Sequence, residues 1–230
     1  MTNTDESAFA DAHPRDGEKF TQFIHMARPA WTTEVYPVKD GVFPQENAQF
    51  DGVMITGSPA SVRSDADWIA PLLDLIRRYH AQGQPMFGAC FGHQALAQAL
   101  GGALDKNPGG WVHGVVAVDC IHPLAYAELP DVFYLSASHA EQVSAAPAGA
   151  KVYASSPGCP VAGFVIADHV LTTQHHPEIG PSFLAALTEE MAEGLGDDLT
   201  ATARASLSRA PDQAMFAEIV ARFFEAAHRR

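Results

Sequence analysis

A cysteine between two glycines, in the segment GACFGHQ at residues 88–94, has the neighbours that a nucleophile needs. A short apolar run at 84–87 precedes it and predicts a buried strand, and the helix-forming run 94–100 ends at the C-cap signal Gly101-Gly102. Strand, tight turn and helix form a nucleophile elbow, whose flanking glycines allow a sharp bend and close approach of a substrate. Cys90 would lie at a helix N-terminus, where unpaired N–H groups and the helix dipole favour its thiolate. The segment therefore predicts an activated cysteine.

A base for this cysteine is expected in the segment His176-Pro177-Glu178. Residues two apart on an extended chain point to the same side, so His176 and Glu178 could cooperate while His175 faces away. Pro177 restricts His176 to extended geometry. A neutral imidazole can take the thiol proton and later deliver it to a leaving amine, while Glu178 orients the ring. Read alone, the segment could also be a histidine-rich surface turn.

An acyl-transfer site also needs N–H donors for the oxyanion of a tetrahedral intermediate. The N–H of Phe91, directly after the nucleophile, is one candidate. A second is Gly57 or Ser58, which follows the apolar run 52–56. Ligands in open parallel sheets collect at the carboxyl ends of strands, which would bring this segment to the cysteine. By itself, Gly57-Ser58-Pro59 reads as a turn.

The elements that must position these residues alternate between helix and strand in the first half of the chain. Hydrophobic periodicity predicts helices over 18–27 and 67–82 and strands over 32–38 and 52–56. Strand-like runs separated by turns then predict antiparallel hairpins at 115–118, 132–135, 151–154 and 161–166. A last strand, 170–174, leads into His175, and helices are predicted over 182–193, 200–208 and 212–227. The sequence thus predicts an α/β fold, with a doubly wound, mostly parallel sheet, an added small antiparallel sheet and C-terminal helices.

Length and charge narrow the class of protein. The 230 residues fit one domain, in which we expect residues 1–16 to be flexible and 195–230 to form a helical extension. Fourteen Lys and Arg against 27 Asp and Glu give a net charge of −13, which argues against nucleic acid or an anionic membrane as a partner. No apolar run approaches the roughly 20 residues that span a bilayer, so a soluble cytoplasmic protein is expected.

The three cysteines, Cys90, Cys120 and Cys159, form neither a C-x-x-C pair nor a zinc spacing. They are expected to be reduced thiols, with Cys120 and Cys159 as inert packing residues. No metal or organic cofactor is predicted, because a thiolate, an imidazole and backbone donors complete the chemistry.

Taken together, these motifs resemble those of class I glutamine amidotransferases, the triad-type glutaminases, and in particular their GMP-synthase-like stand-alone subgroup. The family pattern G-x-C-x-G-x-Q is met by Gly88, Cys90, Gly92 and Gln94, and its H-P-E by residues 176–178. Two further segments resemble the family's oxyanion-strand motif and the loop that borders its glutamine pocket: ITGSPASV at 55–62 and SHAEQV at 138–143. The resemblance covers roughly residues 17–228 and implies the flavodoxin-like fold of that family.

The resemblance implies that Cys90 attacks the side-chain amide of glutamine, forms a γ-glutamyl thioester and releases ammonia, which a separate synthetase could accept. It also implies that Gln94 and the loop of Ser138, His139 and Ala140 hold the substrate's α-amino and α-carboxylate groups. Two alternatives stay open. The same triad would serve a hydrolase of γ-glutamyl peptides or amines, and a catalytically degenerate domain would serve as a regulatory binding module.

Three departures from the family pattern stand out. Ala140 occupies a position that is often glycine, and residues 111–114 lack the glutamate that usually stands two positions before their glycine. Family members also open with an apolar strand, whereas Ala8-Phe9-Ala10 is the longest apolar run in residues 1–17. Either the sheet lacks this strand, or the sequence begins upstream, or another segment fills the gap. A missing interior strand would leave backbone groups of its neighbours unpaired.

Overall fold

Nine strands form two sheets in the computed structural model, which describes Met1 and residues 8–229. The strands are β1 Val53–Ile55, β2 Met86–Ala89, β3 Ala103–Lys106, β4 Val112–Cys120, β5 Val132–His139, β6 Glu141–Ala145, β7 Lys151–Ser156, β8 Cys159–Ile166 and β9 Val170–Thr173. Seven of them form one mixed sheet in the order β1-β2-β9-β8-β7-β4-β5, and β3 pairs with β6 in a small antiparallel sheet. The predicted fold class is confirmed.

Helices cover both faces of the large sheet. They are α1 Ala8–Asp11, α2 Asp16–His25, α3 Ile69–Ala81, α4 Phe91–Ala99, α5 Pro181–Glu190, α6 Ala192–Leu195, α7 Asp197–Ser206 and α8 Gln213–His228. On one face, α2 and α8 pack an aromatic core in which Phe23 stacks on Phe87 at 6.3 Å and Phe216 contacts the same ring. On the other face, α3 and α4 bury an aliphatic core that includes Leu72 and Leu96. None of the helices in the described part of the chain is long and apolar enough to cross a bilayer.

Three parallel strands bring the predicted site residues to one edge of the sheet. β1 pairs with β2 and β2 with β9, all in parallel. Their carboxyl ends lead directly into Gly57, Cys90 and His176. Because parallel strands end on the same side of a sheet, residues that are 33 and 86 positions apart in sequence become neighbours (57 to 90 and 90 to 176).

The strand predicted over 32–38 was wrong. Residues 31–36 form no strand, and Thr32 to Val35 are exposed. Pro37 has no N–H to donate, and among the described residues no strand lies between this segment and β1 to pair with it. β-Branched residues without a neighbouring strand therefore remain an extended loop. β3 and β6, in contrast, were not predicted because their sequences, ALDK and EQVSA, are short and half polar.

The outer edge of β1 is covered by Met1. The Met1 ammonium donates a hydrogen bond to the carbonyl of Met54 at 2.7 Å, and the Thr56 N–H donates to the carbonyl of Met1 at 3.1 Å. Burial lowers the pKa of this ammonium to about 5. A groove of about 930 Å³ continues along β1 between this residue and residues 30–36. In the part of the chain that the structure describes, a single residue thus stands where the resemblance implies a strand.

Two expectations on the ends of the chain stay predictions. The flexibility expected for 1–16 falls partly on residues 2–7, which lie outside the described residues, while residues 8–11 form α1. Residues 195–229 contain α7 and α8, and α8 buries Phe216 and Phe223 in the aromatic core. The C-terminal helices are therefore part of the packing of the sheet.

Candidate active site

Cys90 occupies a strained turn between β2 and α4. Its φ of 50° and ψ of −105° lie in a region that residues with a Cβ rarely adopt, and its N–H donates to the carbonyl of Thr173 at 2.9 Å. The flanking glycines serve close packing, because a Cβ on Gly92 would stand 2.1 Å from the carbonyl oxygen of Ile55 and one on Gly88 would stand 2.6 Å from Gly92. The cysteine itself makes the sharp bend, so its side chain is aimed out of the sheet.

His176 and Glu178 lie beside this cysteine. Nδ1 of His176 hydrogen-bonds to Oε1 of Glu178 at 2.7 Å, and both residues line the same cavity as Cys90. The backbone N–H of His176 donates to the carbonyl of Ser136 at 2.7 Å, which ties the segment to β5. His175 points the other way and hydrogen-bonds through Nε2 to Oγ of Ser156 at 3.0 Å. The three residues predicted as a triad are therefore together, and the neighbouring histidine is not among them.

The charges around His176 favour an imidazolium. Burial alone would lower the pKa of His176, but the charges of Cys90 and Glu178, and hydrogen bonds to both, raise it well above its usual range. A ring charged in this way stabilises a thiolate next to it and carries the proton that a leaving amine needs. Cys90 can thus act as the nucleophile and His176 as the general acid, with no further base.

Backbone donors surround the space above the thiol. Phe91 is the first residue of α4, so its N–H has no acceptor within the helix. Gly57 lies against the other side, where a Cβ would stand 2.8 Å from Cε1 of His176 and 3.8 Å from Cβ of Cys90. Ser58 accepts a hydrogen bond at Oγ from the Ala60 N–H at 2.8 Å, as in a turn. The segment of Gly57 and Ser58 is therefore both a turn and a wall of the site.

The residues predicted to bind substrate line a cavity of about 470 Å³ above Cys90. Gln94 is 4% exposed and donates from Nε2 to the carbonyl of Glu141 at 2.9 Å. The carbonyl of Ser138 lies 4.0 Å from Sγ of Cys90, whereas its hydroxyl turns away to Nδ1 of His113. His139 and Ala140 also reach the cavity wall.

The two loop residues next to Ser138 are held by backbone contacts. Nδ1 of His139 donates to the carbonyl of Glu141 at 3.1 Å, and the carbonyl of Ala140 accepts from the Asn107 N–H at 2.8 Å. The ring of His139 is 3% exposed. It therefore contributes a buried side of the wall, and the backbone of this loop faces the substrate space.

The end of the cavity next to Gln94 and the loop 138–140 is closed by a polar cluster of Ser61, Arg63 and Glu141, which we call the clasp. Sequence analysis did not predict it. Oγ of Ser61 donates to Oε2 of Glu141 at 2.7 Å, and Arg63 forms an ion pair with Oε1 of the same carboxylate. Burial would raise the pKa of Glu141, but its bonds to Arg63 and Ser61 lower it. The clasp joins the loop after β1 to the first residue of β6.

The opposite end of the cavity is built by the N-terminal residues and α5. The ring of Phe183 lies 5.6 Å from that of Phe9 and 5.1 Å from that of His13, and Nζ of Lys19 sits 4.1 Å above it. Lys19 also forms an ion pair with Asp16 at 2.9 Å. Burial raises the pKa of Asp16, against the effect of Lys19. Sequence reasoning missed this wall because the N-terminal residues were expected to be flexible.

Among the described residues, no group of three or more His, Cys, Asp or Glu side chains is arranged to hold a metal ion. The arrangement supplies a thiolate, an imidazolium and N–H donors around one cavity, which is the equipment of acyl transfer.

Replacing Gly57 by alanine is expected to slow the reaction of Cys90 with an amide about 10- to 100-fold in kcat, because the new Cβ would displace the His176 ring. The backbone of Gly57 has an ordinary φ, so the fold should tolerate the change. Gly194→Ala, at a position with no atom within 4 Å, is the matched control for an added methyl group. Equal kcat values for both variants, in an assay of acyl transfer by Cys90, would contradict the placement of His176.

Comparison with known proteins identifies the family to which this sequence is similar. The family described as Glutamine amidotransferase class-I matches residues 22–186. Gamma-glutamyl peptidase 3 of Arabidopsis thaliana is 31% identical over 167 residues, which cover 69% of this chain and 67% of that protein. GMP synthase [glutamine-hydrolyzing] of Mycobacterium tuberculosis is 36% identical over 176 residues, 73% of this chain. The match spans 32% of that synthase, about a third of its length.

A solved structure shows the same fold. The crystal structure of a glutamine amido transferase from Methylobacillus flagellatus superposes with a TM-score of 0.74 over 91% of this chain and 87% of that one. The two sequences are 24% identical, so this likeness bears on the fold alone.

Proposed function

Because this chain belongs to the class I glutamine amidotransferase family, we propose that it hydrolyses the side-chain amide of glutamine or of a larger γ-glutamyl compound through a Cys90 thioester. The observation that carries the proposal is the grouping of Cys90 with the hydrogen-bonded His176–Glu178 pair at one cavity. A packing cysteine would need neither the strained turn nor the charged partner ring.

The proposed reaction begins with attack of the Cys90 thiolate on the γ-carbonyl carbon. The oxyanion that forms accepts hydrogen bonds from the N–H groups of Phe91 and of Gly57 or Ser58. His176 gives its proton to the amide nitrogen, the C–N bond breaks, and the amine or ammonia leaves. The γ-glutamyl group remains on Sγ as a thioester.

Water completes the cycle. Neutral His176 removes a proton from the water molecule that attacks the thioester, and Glu178 stabilises the imidazolium that results. The thiolate leaves, and glutamate is released with the thiolate–imidazolium pair restored. Through both steps we propose that Gln94 and the backbone of residues 138–140 hold the α-amino and α-carboxylate groups, since they form the wall at the clasped end.

Transfer of the released ammonia to a separate synthetase is a second candidate function. The similarity to a third of a glutamine-hydrolysing GMP synthase favours it, because that portion of a synthase would be the part that this chain replaces. The similarity to gamma-glutamyl peptidase 3 extends over two thirds of that protein and favours release of the amine as a product. A degenerate binding module is the weakest reading, because the three proposed triad residues are all present and line one cavity.

We expect an electrophilic glutamine analogue, 6-diazo-5-oxo-L-norleucine, to modify Cys90 in a one-to-one ratio and to remove glutamate release in proportion. Burial raises the pKa of Cys159 to about 12 and also raises that of Cys120, so neither thiol should react. Peptide mass spectrometry locates the adduct. Modification at Cys120 or Cys159, or an unmodified Cys90 in folded protein, would contradict the proposal.

A further inference from the structure

The cavity above Cys90 has two chemically different ends. A general acid must stand next to the amine that it protonates, so the leaving group lies on the side of His176 and Glu178. The elements that line the cavity together with this pair are α5, which begins three residues after Glu178, and the segment of Asp16 at the start of α2. The γ-glutamyl group therefore lies at the opposite end, which the clasp of Ser61, Arg63 and Glu141 closes.

Aromatic and apolar side chains line part of the leaving-group end, beside the charged groups of Arg15, Asp16 and Lys19. Phe9, His13 and Phe183 form one cluster with ring centroids 4.5 to 5.6 Å apart. Leu187, one turn after Phe183 on α5, continues the same wall, whereas Met191 lies against the hydroxyl of Ser138 at 3.6 Å. Such a surface binds an aromatic ring by burial of apolar area and by offset or edge contacts between rings.

Ammonia would make no use of this wall. The cavity of about 470 Å³ lies within the range of roughly 300 to 1,000 Å³ that holds drug-sized ligands. Trp111, which is 41% exposed, stands at the same cavity and adds a further large ring to its margin. The space and its lining therefore point to an amine much larger than ammonia.

We propose that the preferred substrates are γ-glutamyl amides whose leaving amine carries an aromatic ring, which binds against Phe9 and Phe183. The inference rests on the proposed function and specifies its substrate class. Water and the amide give glutamate and the free arylalkylamine, which takes its proton from His176, and no oxidant or cofactor enters. Burial of the ring should raise kcat/KM about 10- to 100-fold over an amine that lacks it.

The test compares two synthetic amides of matched chemistry, γ-glutamyl-phenethylamide and γ-glutamyl-ethylamide, with glutamine as a third substrate. Both amides release a primary alkylamine of similar basicity, so their ratio of kcat/KM reports on the ring. We expect the phenethylamide to be favoured at least about tenfold over the ethylamide. In Phe183→Ala this preference should fall most of the way to unity.

Phe9→Ala is a second variant of the same wall, to be used if Phe183→Ala fails to fold. It should fold because Phe9 lies on the short helix α1 outside both cores. Val42→Ala, an exposed apolar residue away from the cavity, is the matched control and should keep the wild-type preference. Equal kcat/KM for all three substrates, or a preference that survives both phenylalanine variants, overturns the inference and leaves the proposed function standing. Absence of glutamate from every substrate overturns the proposed function itself.

Discussion

Cys90→Ala is expected to lower kcat/KM for glutamate release at least about 10⁴-fold, the largest single effect on activity in the molecule. In the proposed mechanism, the thiolate of Cys90 is the group that forms the acyl intermediate. Removing it leaves only binding and the N–H donors at Phe91 and Gly57. Alanine keeps the Cβ and the side-chain volume nearest the backbone, so the variant should fold with the same strained turn. Steady-state glutamate release from the best amide substrate measures the loss.

Two further variants distinguish loss of activity through loss of the nucleophile from loss of activity through disruption of the fold. Cys120→Ala removes a thiol of intermediate exposure far from the cavity and should keep wild-type activity. Glu178→Gln should lie between the two, since the ring of His176 keeps its position but loses the charge that stabilises the imidazolium. Activity that survives in Cys90→Ala, or that is lost equally in Cys120→Ala, would contradict the assignment of the nucleophile.

The parts of the fold that could be predicted are those in which local pattern and tertiary structure agree. The apolar spacing of residues 67–82 produced α3, and the elbow at Cys90 has the predicted strand, turn and helix. The residues on either side of that turn are glycines because backbone atoms pass within van der Waals contact there. A constraint of this kind restricts which residue types can occur at these positions, so it can be detected in the sequence.

The segment 32–38 shows the limit of such patterns. Its β-branched and aromatic residues favour a strand, but a strand also needs a partner with free N–H and C=O groups. The described residue that pairs with the outer edge of β1 is Met1, and it lies beside Met54 and Thr56, away from this segment. Pairing partners are a property of the whole fold, so the local sequence could not reveal their absence.

Within the candidate site, chain order and motif spacing could predict Cys90, His176 and Glu178. The clasp between Arg63 and Glu141 could not be predicted, because 78 residues separate the pair and many charged pairs are equally spaced. The wall at Phe9 and Phe183 had no signal either, since a short apolar run near a terminus has no periodicity. The sequence therefore indicates the proposed triad residues more readily than the residues that build the walls of the cavity.

Acidification below pH 6.5 is expected to destabilise the fold steeply, because four neutral histidine rings are buried in it. The rings are those of His93, His113, His139 and His175, each 4% exposed or less. Burial lowers the pKa of His93 to about 3 and those of His113 and His139 to about 4, and it holds the pKa of His175 well below 6.5. Several of their nitrogens have no hydrogen-bond partner among the described residues: Nε2 of His93, Nε2 of His139 and Nδ1 of His175.

The direction in which pH changes the free energy of unfolding follows from proton binding. Between pH 6.5 and the lowered pKa, the unfolded chain binds a proton at each ring and the folded protein does not. The stability is therefore fully present above pH 6.5 and is lost as the pH falls. His176 adds no slope in this window. Its raised pKa means that its stabilising contribution is complete below pH 6.5 and is lost only as the pH rises through the folded value.

The expected loss of unfolding free energy on acidification approaches the total unfolding free energy of a typical domain. One proton corresponds to about 1.4 kcal/mol per pH unit, so four rings give roughly 5 kcal/mol per unit. At pH 5 the accumulated loss is about 8 kcal/mol, against a typical unfolding free energy of about 5 to 15 kcal/mol. We therefore expect an acid-unfolding midpoint near pH 5, above the range in which carboxylates are protonated. His80 and His169, whose pKa values burial also lowers, and the buried Met1 amino group, whose pKa burial lowers to about 5, act in the same direction.

Urea denaturation at a series of pH values between about 7 and 5 measures the change in unfolding free energy per pH unit, the slope discussed here. His113→Gln should reduce it by about 1.4 kcal/mol per pH unit, because it removes one of the four proton-binding rings. The glutamine amide can still hydrogen-bond to Ser138 or Thr188, the present partners of the ring. His228→Gln, which changes an exposed ring on α8, should keep the wild-type slope. An unfolding free energy that stays constant from pH 7 to 5 would show that these rings are protonated inside the folded protein, and would refute the assignment of a neutral histidine cluster behind the site.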